Sequence, residues 1–244
     1  MVTIRCGAVN FTNIQAILFD KDGTLEDSQD SLRNLAQKVA RLIDAQVPGI
    51  GDPLLMSFGI NGSTIDAAGL FAVGSRRECE IAAAAYVAET GRSWLESQAI
   101  AHRAFTEAEL VIQKSAPSPV FPGSLAVLQK LSQAGLKLGI LSAAPPASVQ
   151  SFVQHHQLED ILQLAMGVED GLSKPDPQLF LQACQRLGVA PNATLMVGDA
   201  AGDIEMANRA GAAGSIGICW KPPIPSYLKK ANVAIAHLQE IEVV

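Results

Sequence analysis

The chain has 244 residues, enough for one large α/β domain or for a core of about 150 residues carrying a smaller inserted unit. Hydrophobic residues make up 48% and charged residues 17%, with no block of like charge, and this composition excludes a disordered chain. A net charge of −6 without a basic cluster argues against nucleic acid as a partner, and no apolar run reaches the roughly 20 residues that span a membrane.

Met1 to Phe11 carries one basic residue and no apolar segment of the secretory kind, so a cytoplasmic protein is expected. Cys6, Cys79, Cys184 and Cys219 are widely separated, without the paired spacing of a zinc site, and are expected to be reduced and mostly buried thiols. Ile14 to Phe19 is continuously apolar except for Gln15 and reads as a buried strand. Asp20-Lys21-Asp22-Gly23-Thr24 occupies the turn where that strand ends. Functional groups of open α/β sheets gather at the carboxyl ends of strands, and carboxylates in such a place are costly unless they work. With period-two alternation, Asp20 and Asp22 face one side while Lys21 points away, toward the surface. Gly23 permits a sharp turn whose N–H groups can nest an anion, and the Thr24 hydroxyl can hold the turn or touch that anion.

From Asp27 to about Ser115 the pattern is helical and alanine-rich, with no convincing strand, which predicts a separate helical unit over 27–115. Ser31, Leu32, Leu35, Val39, Leu42 and Ile43 recur at helical spacing, and Glu78–Thr90 and Trp94–Gln113 predict two further amphipathic helices. Arg76 and Arg77 follow a glycine-rich stretch. Either they open a helix with exposed side chains, or a guanidinium clamps a substrate carboxylate. The proline-rich segment Ser115–Gly123 is the expected return linker.

Thereafter helices and strands alternate. Helices are predicted near 124–134, 148–156, 177–187 and 202–210, and strands near 136–141, 162–166, 194–197, 215–219 and 233–236. Such alternation means parallel strands joined by right-handed crossovers. The predicted fold is therefore a doubly wound, Rossmann-like α/β core, residues 1–26 and 116–244, interrupted just after its first strand by an all-helical cap.

Two adjacent carboxylates repel a phosphate dianion, so a phosphotransfer site here needs positive charge. Lys174, in Ser173-Lys174-Pro175-Asp176-Pro177, offers it just before a helix that Asp176 can cap and Pro177 can start. Asp199 and Asp203, in Gly198-Asp-Ala-Ala-Gly-Asp203, would join Asp20 in an oxygen-rich site suited to a hard cation such as Mg²⁺. Ser142 closes the strand before it in the same way, its plainer role being that of a turn residue before Pro145 and Pro146.

The order Asp20-x-Asp22-Gly-Thr, strand-end Ser142, Lys174-Pro and Gly198-Asp199-x-x-x-Asp203 resembles the haloacid dehalogenase-like hydrolase superfamily, in its Mg²⁺-dependent, phosphoglycolate phosphatase-like branch. The resemblance implies Asp20 as nucleophile, giving an aspartyl-phosphate, and Asp22 as general acid and then base. It implies Thr24, Ser142 and Lys174 around the substrate phosphate. It also implies Mg²⁺ held by Asp20, Asp22 through its carbonyl, and Asp199, with Asp203 one shell out. Relatives commonly have an apolar or aromatic residue at the position of Lys21, and many have Asn at that of Ala143. The expected activity is hydrolysis of a small phosphorylated metabolite such as phosphoglycolate. The alternatives are a phosphosugar mutase of the β-phosphoglucomutase type and a catalytically silent binding or regulatory protein on the same scaffold.

Overall fold

The computed structural model describes residues 2–112, 118–168 and 171–244. The chain divides into two compact units, residues 1–27 with 119–244, and residues 28–118. The first three residues of the proline-rich segment, Ser115 to Pro117, and the expected boundary at 115/116 lie outside the described residues.

Three strands precede the insertion: β1 (Val2–Cys6), β2 (Val9–Ile14) and β3 (Ala16–Phe19). The apolar run Ile14–Phe19 is thus split, because Ile14 closes β2 and the next strand starts at Ala16. β1 and β2 pair antiparallel across a turn at Gly7, whose φ of +58° suits glycine.

Residues 28–118 contain α1 (Gln29–Asp44), α2 (Gly51–Ser57), the two-residue strands β4 (Ile60–Asn61) and β5 (Thr64–Ile65), α3 (Leu70–Val73), α4 (Arg76–Glu89) and α5 (Trp94–Ile112). The unit is therefore not wholly helical. β4 and β5 form a small antiparallel ladder whose two-residue strands are too short to show an alternation in sequence. Its core joins Ala36, Val39 and Ile43 of α1 to Ala83 and Val87 of α4 and to Ala101, Ala104 and Phe105 of α5. The alanines among these positions let the helices approach closely, and Phe58, Phe71 and Phe105 fill the remaining volume with ring centroids 4.9–6.2 Å apart. Ser75 opens α4 with a capping box: Glu78 N–H donates to Ser75 Oγ (3.3 Å), and Ser75 N–H donates to Glu78 Oε2 (2.7 Å).

The chain then alternates α6 (Ser124–Gln133), β6 (Lys137–Leu141), α7 (Pro146–His155), β7 (Leu164–Met166), α8 (Pro177–Leu187), β8 (Thr194–Gly198), α9 (Ala201–Ala210), β9 (Gly214–Ile218) and β10 (Val233–Ile235), and ends in β11 (Ile241–Val243). Six strands form one parallel sheet in the order β10-β9-β8-β3-β6-β7. β3 lies inside this sheet with both faces covered, which is why its sequence is apolar without alternation. Ile17 and Phe19 meet Val127, Leu131, Val149 and Phe152 of α6 and α7 on one face. Ala16 and Leu18 meet Leu179, Phe180, Met206 and Ala207 of α8 and α9 on the other. Burial of each large side chain contributes about 1.5–3 kcal/mol. A separate antiparallel sheet, β11-β1-β2, packs Ile4, Cys6, Phe11, Ile14 and Ile241 into the first of these cores. No helix among the described residues is long and apolar enough to cross a membrane.

Candidate active site

Strand register builds the site. Phe19 is paired with Ile140 on β6 and with Val197 on β8, so Asp20, Ser142 and Asp199 emerge together at the carboxyl edge of three neighbouring strands. Asp20 N–H donates to Val197 O (2.9 Å) and Ser142 N–H to Met166 O (2.9 Å), continuing the ladders one residue past the strands. Two glycines admit the acids. A Cβ on Gly23, whose φ is +77°, would stand 2.1 Å from Asp199 Oδ2, and a Cβ on Gly198 would stand 2.3 Å from Asp203 Cγ.

Lys174 is brought in by the segment before α8, whose start is fixed by Asp176 Oδ1 accepting from Gln178 N–H (2.9 Å) and by Pro177 in the first turn. Its Nζ lies 2.5 Å from Asp20 Oδ1 and 2.6 Å from Asp203 Oδ1, with all three side chains nearly or fully buried. Asp203 is held from its other oxygen too, Oδ2 accepting from Ala200 N–H (3.1 Å). One oxygen from each of Asp20, Asp199 and Asp203 falls within 4.8 Å of the others. Three carboxylates against one ammonium leave excess negative charge in a desolvated place, and an all-oxygen donor set of this kind fits a hard divalent cation.

The titration of these groups follows from the same crowding. Burial pushes Asp20 up to about 7; Lys174 opposes this, while the charges of Asp203 and Asp22 add to it. Asp199 is raised well above the usual carboxylate range, first by burial and then by Asp20 and Asp203, against the pull of Lys174 and the Thr24 hydroxyl. Burial alone would lower Lys174, but Asp20 and Asp203 outweigh it and hold the ammonium charged.

The remaining candidates fall differently. Thr24, fully buried, turns its hydroxyl to Asp199 Oδ1 (3.2 Å), so in this structure it orients an acid. Ser142 Oγ accepts from Ala144 N–H (3.1 Å), a turn contact that leaves its own proton for another acceptor. Lys21 does not lie at the surface as period-two geometry implied. It is 3% exposed, with Nζ 2.6 Å from Asp22 Oδ1 and 2.5 Å from Glu26 Oε2. The turn, in which Lys21 O accepts from Leu25 and Glu26 N–H (both 2.9 Å), folds the chain back and ends the alternation. Burial lowers the affinity of Lys21 for its proton, but the two carboxylates more than restore it. The Asp22 carboxylate is therefore committed to Lys21 and stands outside the three-acid cluster.

Arg76 and Arg77 are the first residues of α4. Arg76 is occupied within its own unit: its guanidinium pairs with Glu80, Nε lies 2.6 Å from Glu109 Oε1, and Nη2 donates to Thr106 Oγ1 (3.1 Å). These contacts hold Arg76 within its own unit, whereas Arg77 is exposed. Sequence reasoning missed Glu26 and Trp220, whose Nε1–H donates to Thr24 O (3.2 Å) while the indole stacks on Phe121 with centroids 4.3 Å apart. An Asp-Lys-Asp-x-x-x-Glu charge pattern was the available signal for Glu26; nothing local marks Trp220, 196 residues from Thr24.

Residues 14–211 match the family described as haloacid dehalogenase-like hydrolase. The chain is 34% identical over 118 residues to the probable phosphatase IndB of Dickeya dadantii (strain 3937), a match covering 48% of this chain and 51% of that protein. The chain thus spans about half the length of that relative, and 40–42% of three others at 33% identity. A longer match, 25% identical over 213 residues, joins 86% of the chain to 83% of the phosphoglycolate phosphatase of Shigella boydii serotype 4 (strain Sb227). The crystal structure of a predicted phosphoglycolate phosphatase from Haemophilus somnus 129pt superposes with a TM-score of 0.67 at 20% identity, covering 93% of this chain and 96% of that one, a likeness of fold. Because the family match extends over most of the chain and takes in every strand end that carries an acid of the site, the chain belongs to the haloacid dehalogenase-like hydrolases.

Proposed function

We propose that this chain hydrolyses the phosphate monoester of a small metabolite through an aspartyl-phosphate at Asp20, with Mg²⁺ as the cation held by Asp20 and Asp199 and by Asp203 directly or through water. The observation that carries this reading is the buried arrangement of Lys174 between Asp20 and Asp203, with Asp199 in the same cluster. A lone carboxylate would repel the ester dianion. Here an ammonium already touches one oxygen of the Asp20 carboxylate. Bound Mg²⁺ would supply the further positive charge that offsets the phosphoryl oxygens.

In the first half-reaction an Asp20 oxygen forms a bond to phosphorus, the bond from phosphorus to the leaving oxygen breaks, and Asp22 gives that oxygen its proton. In the second, a water oxygen attacks the phosphorus of the acyl phosphate and Asp22 takes a proton from that water. The Asp20–phosphorus linkage then breaks, freeing inorganic phosphate and restoring both side chains. Lys174 and Ser142 hold the transferring oxygens, and Thr24 keeps Asp199 in place. The Shigella relative's name makes 2-phosphoglycolate the first ester to try.

The test is a panel of phosphorylated metabolites, assayed for released phosphate with Mg²⁺, after EDTA, and in Asp20→Asn. Release that needs the metal and vanishes in the variant supports the reading. Release that survives Asp20→Asn would overturn it. Isomerisation of a sugar phosphate, dependent on added bisphosphate and without phosphate release, would show a mutase instead.

A further inference from the structure

Lys21 stands between the two aspartates that the proposed chemistry uses, yet that chemistry gives it no task. Its ammonium, 3% exposed, bridges Asp22 Oδ1 at 2.6 Å and Glu26 Oε2 at 2.5 Å. Its carbonyl closes the same turn by accepting from Thr24 (3.3 Å), Leu25 and Glu26 N–H (both 2.9 Å), while Gly23 N–H donates to Glu26 O (2.9 Å). The Phe152 ring, with its centroid 5.9 Å from Nζ, walls the ammonium in. Glu26 is anchored independently. Residues 25–27 pair with 119–121 through Asp27 N–H to Pro119 O (2.8 Å), Phe121 N–H to Leu25 O (2.9 Å) and the Glu26–Val120 bridge.

We propose that Lys21 is a positioning residue for Asp22: braced by Glu26, it fixes one carboxylate oxygen and so aims the other at the leaving group.

The physical basis is steric and directional. An Asp at the mouth of a turn has several rotamers, and most of them point its carboxylate to water. A short charge-assisted contact to an ammonium that is itself walled in selects one of them. Catalysis by a proton donor depends on that selection, since misplacement by about 1 Å can cost 10²-fold. The brace depends on the residue type: an apolar side chain at position 21 could pack against Phe152 but could not hold a carboxylate.

This inference rests on the reading of Asp22 as the acid, so the experiment separates the two. Lys21→Met, Asp22→Asn and Asp20→Asn are assayed for leaving-group release in the first turnover, before water attacks the aspartyl-phosphate, with an alkyl phosphate, whose leaving oxygen needs a proton, and with 2,4-dinitrophenyl phosphate, whose leaving group departs without one. Lys21→Met is expected to lower the first-turnover rate constant on the alkyl ester by about 10²-fold, with the half-saturating ester concentration changed less than about twofold, and to leave the first-turnover rate constant on the dinitrophenyl ester within about threefold. Asp22→Asn should show the same selectivity more strongly, and Asp20→Asn should abolish both reactions. Removing one partner of a buried ion pair can unfold a protein, so Lys21→Met/Glu26→Leu is measured alongside, since replacing a buried pair by apolar residues is often neutral for stability. It should keep the leaving-group selectivity. An equal loss on both esters, or undiminished alkyl turnover, in folded Lys21 variants overturns the positioning role while Asp22→Asn remains selective. If Asp22→Asn is itself unselective, both readings fall.

Discussion

Neutralising Asp20 should stabilise the metal-free protein, and should do so more strongly as the pH rises. Asp20 is 6% exposed, and burial lifts its carboxyl to about 7 against 3.8 for the free side chain, despite Lys174 at 2.5 Å. Between those values the folded state keeps a proton that the unfolded chain has released, so wild-type stability falls as pH rises through the interval. The slope is about 1 kcal/mol per pH unit, and it levels off above pH 7, where both states are ionised. Asp20→Asn cannot ionise and escapes this loss. Its stability relative to wild type, in EDTA, should therefore grow by about 2–3 kcal/mol between pH 5 and pH 7.5. For a chain of this size that corresponds to a gap in Tm widening by roughly 5–10 °C. Thermal melts of both proteins across that range provide the assay, and taking the difference cancels titrations remote from the site, Asp199 excepted because the Asp20 charge contributes to its raised pKa. Saturating Mg²⁺ should raise the wild-type Tm by mass action and leave Asp20→Asn almost unmoved. A gap that stays constant with pH would refute the claim that the Asp20 charge is desolvated at a cost.

Gly23→Ala should impair the site far more than its single methyl group suggests, because the new Cβ would lie 2.1 Å from Asp199 Oδ2 at a φ of +77°. Backbone strain of about 1–2 kcal/mol adds to displacement of Asp199, and titration of the Mg²⁺-dependent Tm shift should show weakened metal binding. Gly7→Ala is the control: its φ is +58° with no atom within 4 Å, so it should carry the backbone cost alone and bind metal normally. For the thiols, burial pushes Cys6 and Cys79 up to about 12 and also raises Cys184, whereas Cys219 is half-exposed. A disulfide reagent at pH 8 should modify one thiol per native chain quickly and all four only after unfolding; two fast thiols would contradict the burial.

Much of the core was legible from one dimension. The parallel strands announced themselves as short apolar runs, since a strand covered on both faces needs no alternation, and the predicted bounds of β6, β8 and β9 lie within a residue of those observed. The α8 start was equally legible, because a capping Asp followed by Pro acts within one turn of helix. The antiparallel sheet was not. β1 and β2 carry polar residues on their open face, and their partner β11 lies at the other end of the chain, Ile4 pairing with Val243. The β4–β5 ladder was too short to leave a pattern.

The same division holds for the site. Residue order alone singled out Asp20, Asp22, Lys174, Asp199 and Asp203, because acids at strand ends and a lysine before a capped helix stand out locally. Whether they meet, and which atoms touch, depended on the strand order β8-β3-β6, which carries Lys174 across 154 residues to Asp20. Lys21 marks the limit most plainly. Alternation sent it outward, but alternation describes an extended chain, and the chain has already turned there to meet Glu26. Local rules fix which residues stand at the edge of the sheet; only packing decides which charges must share a buried space, since the cost of desolvation is set by neighbours that the sequence does not place side by side.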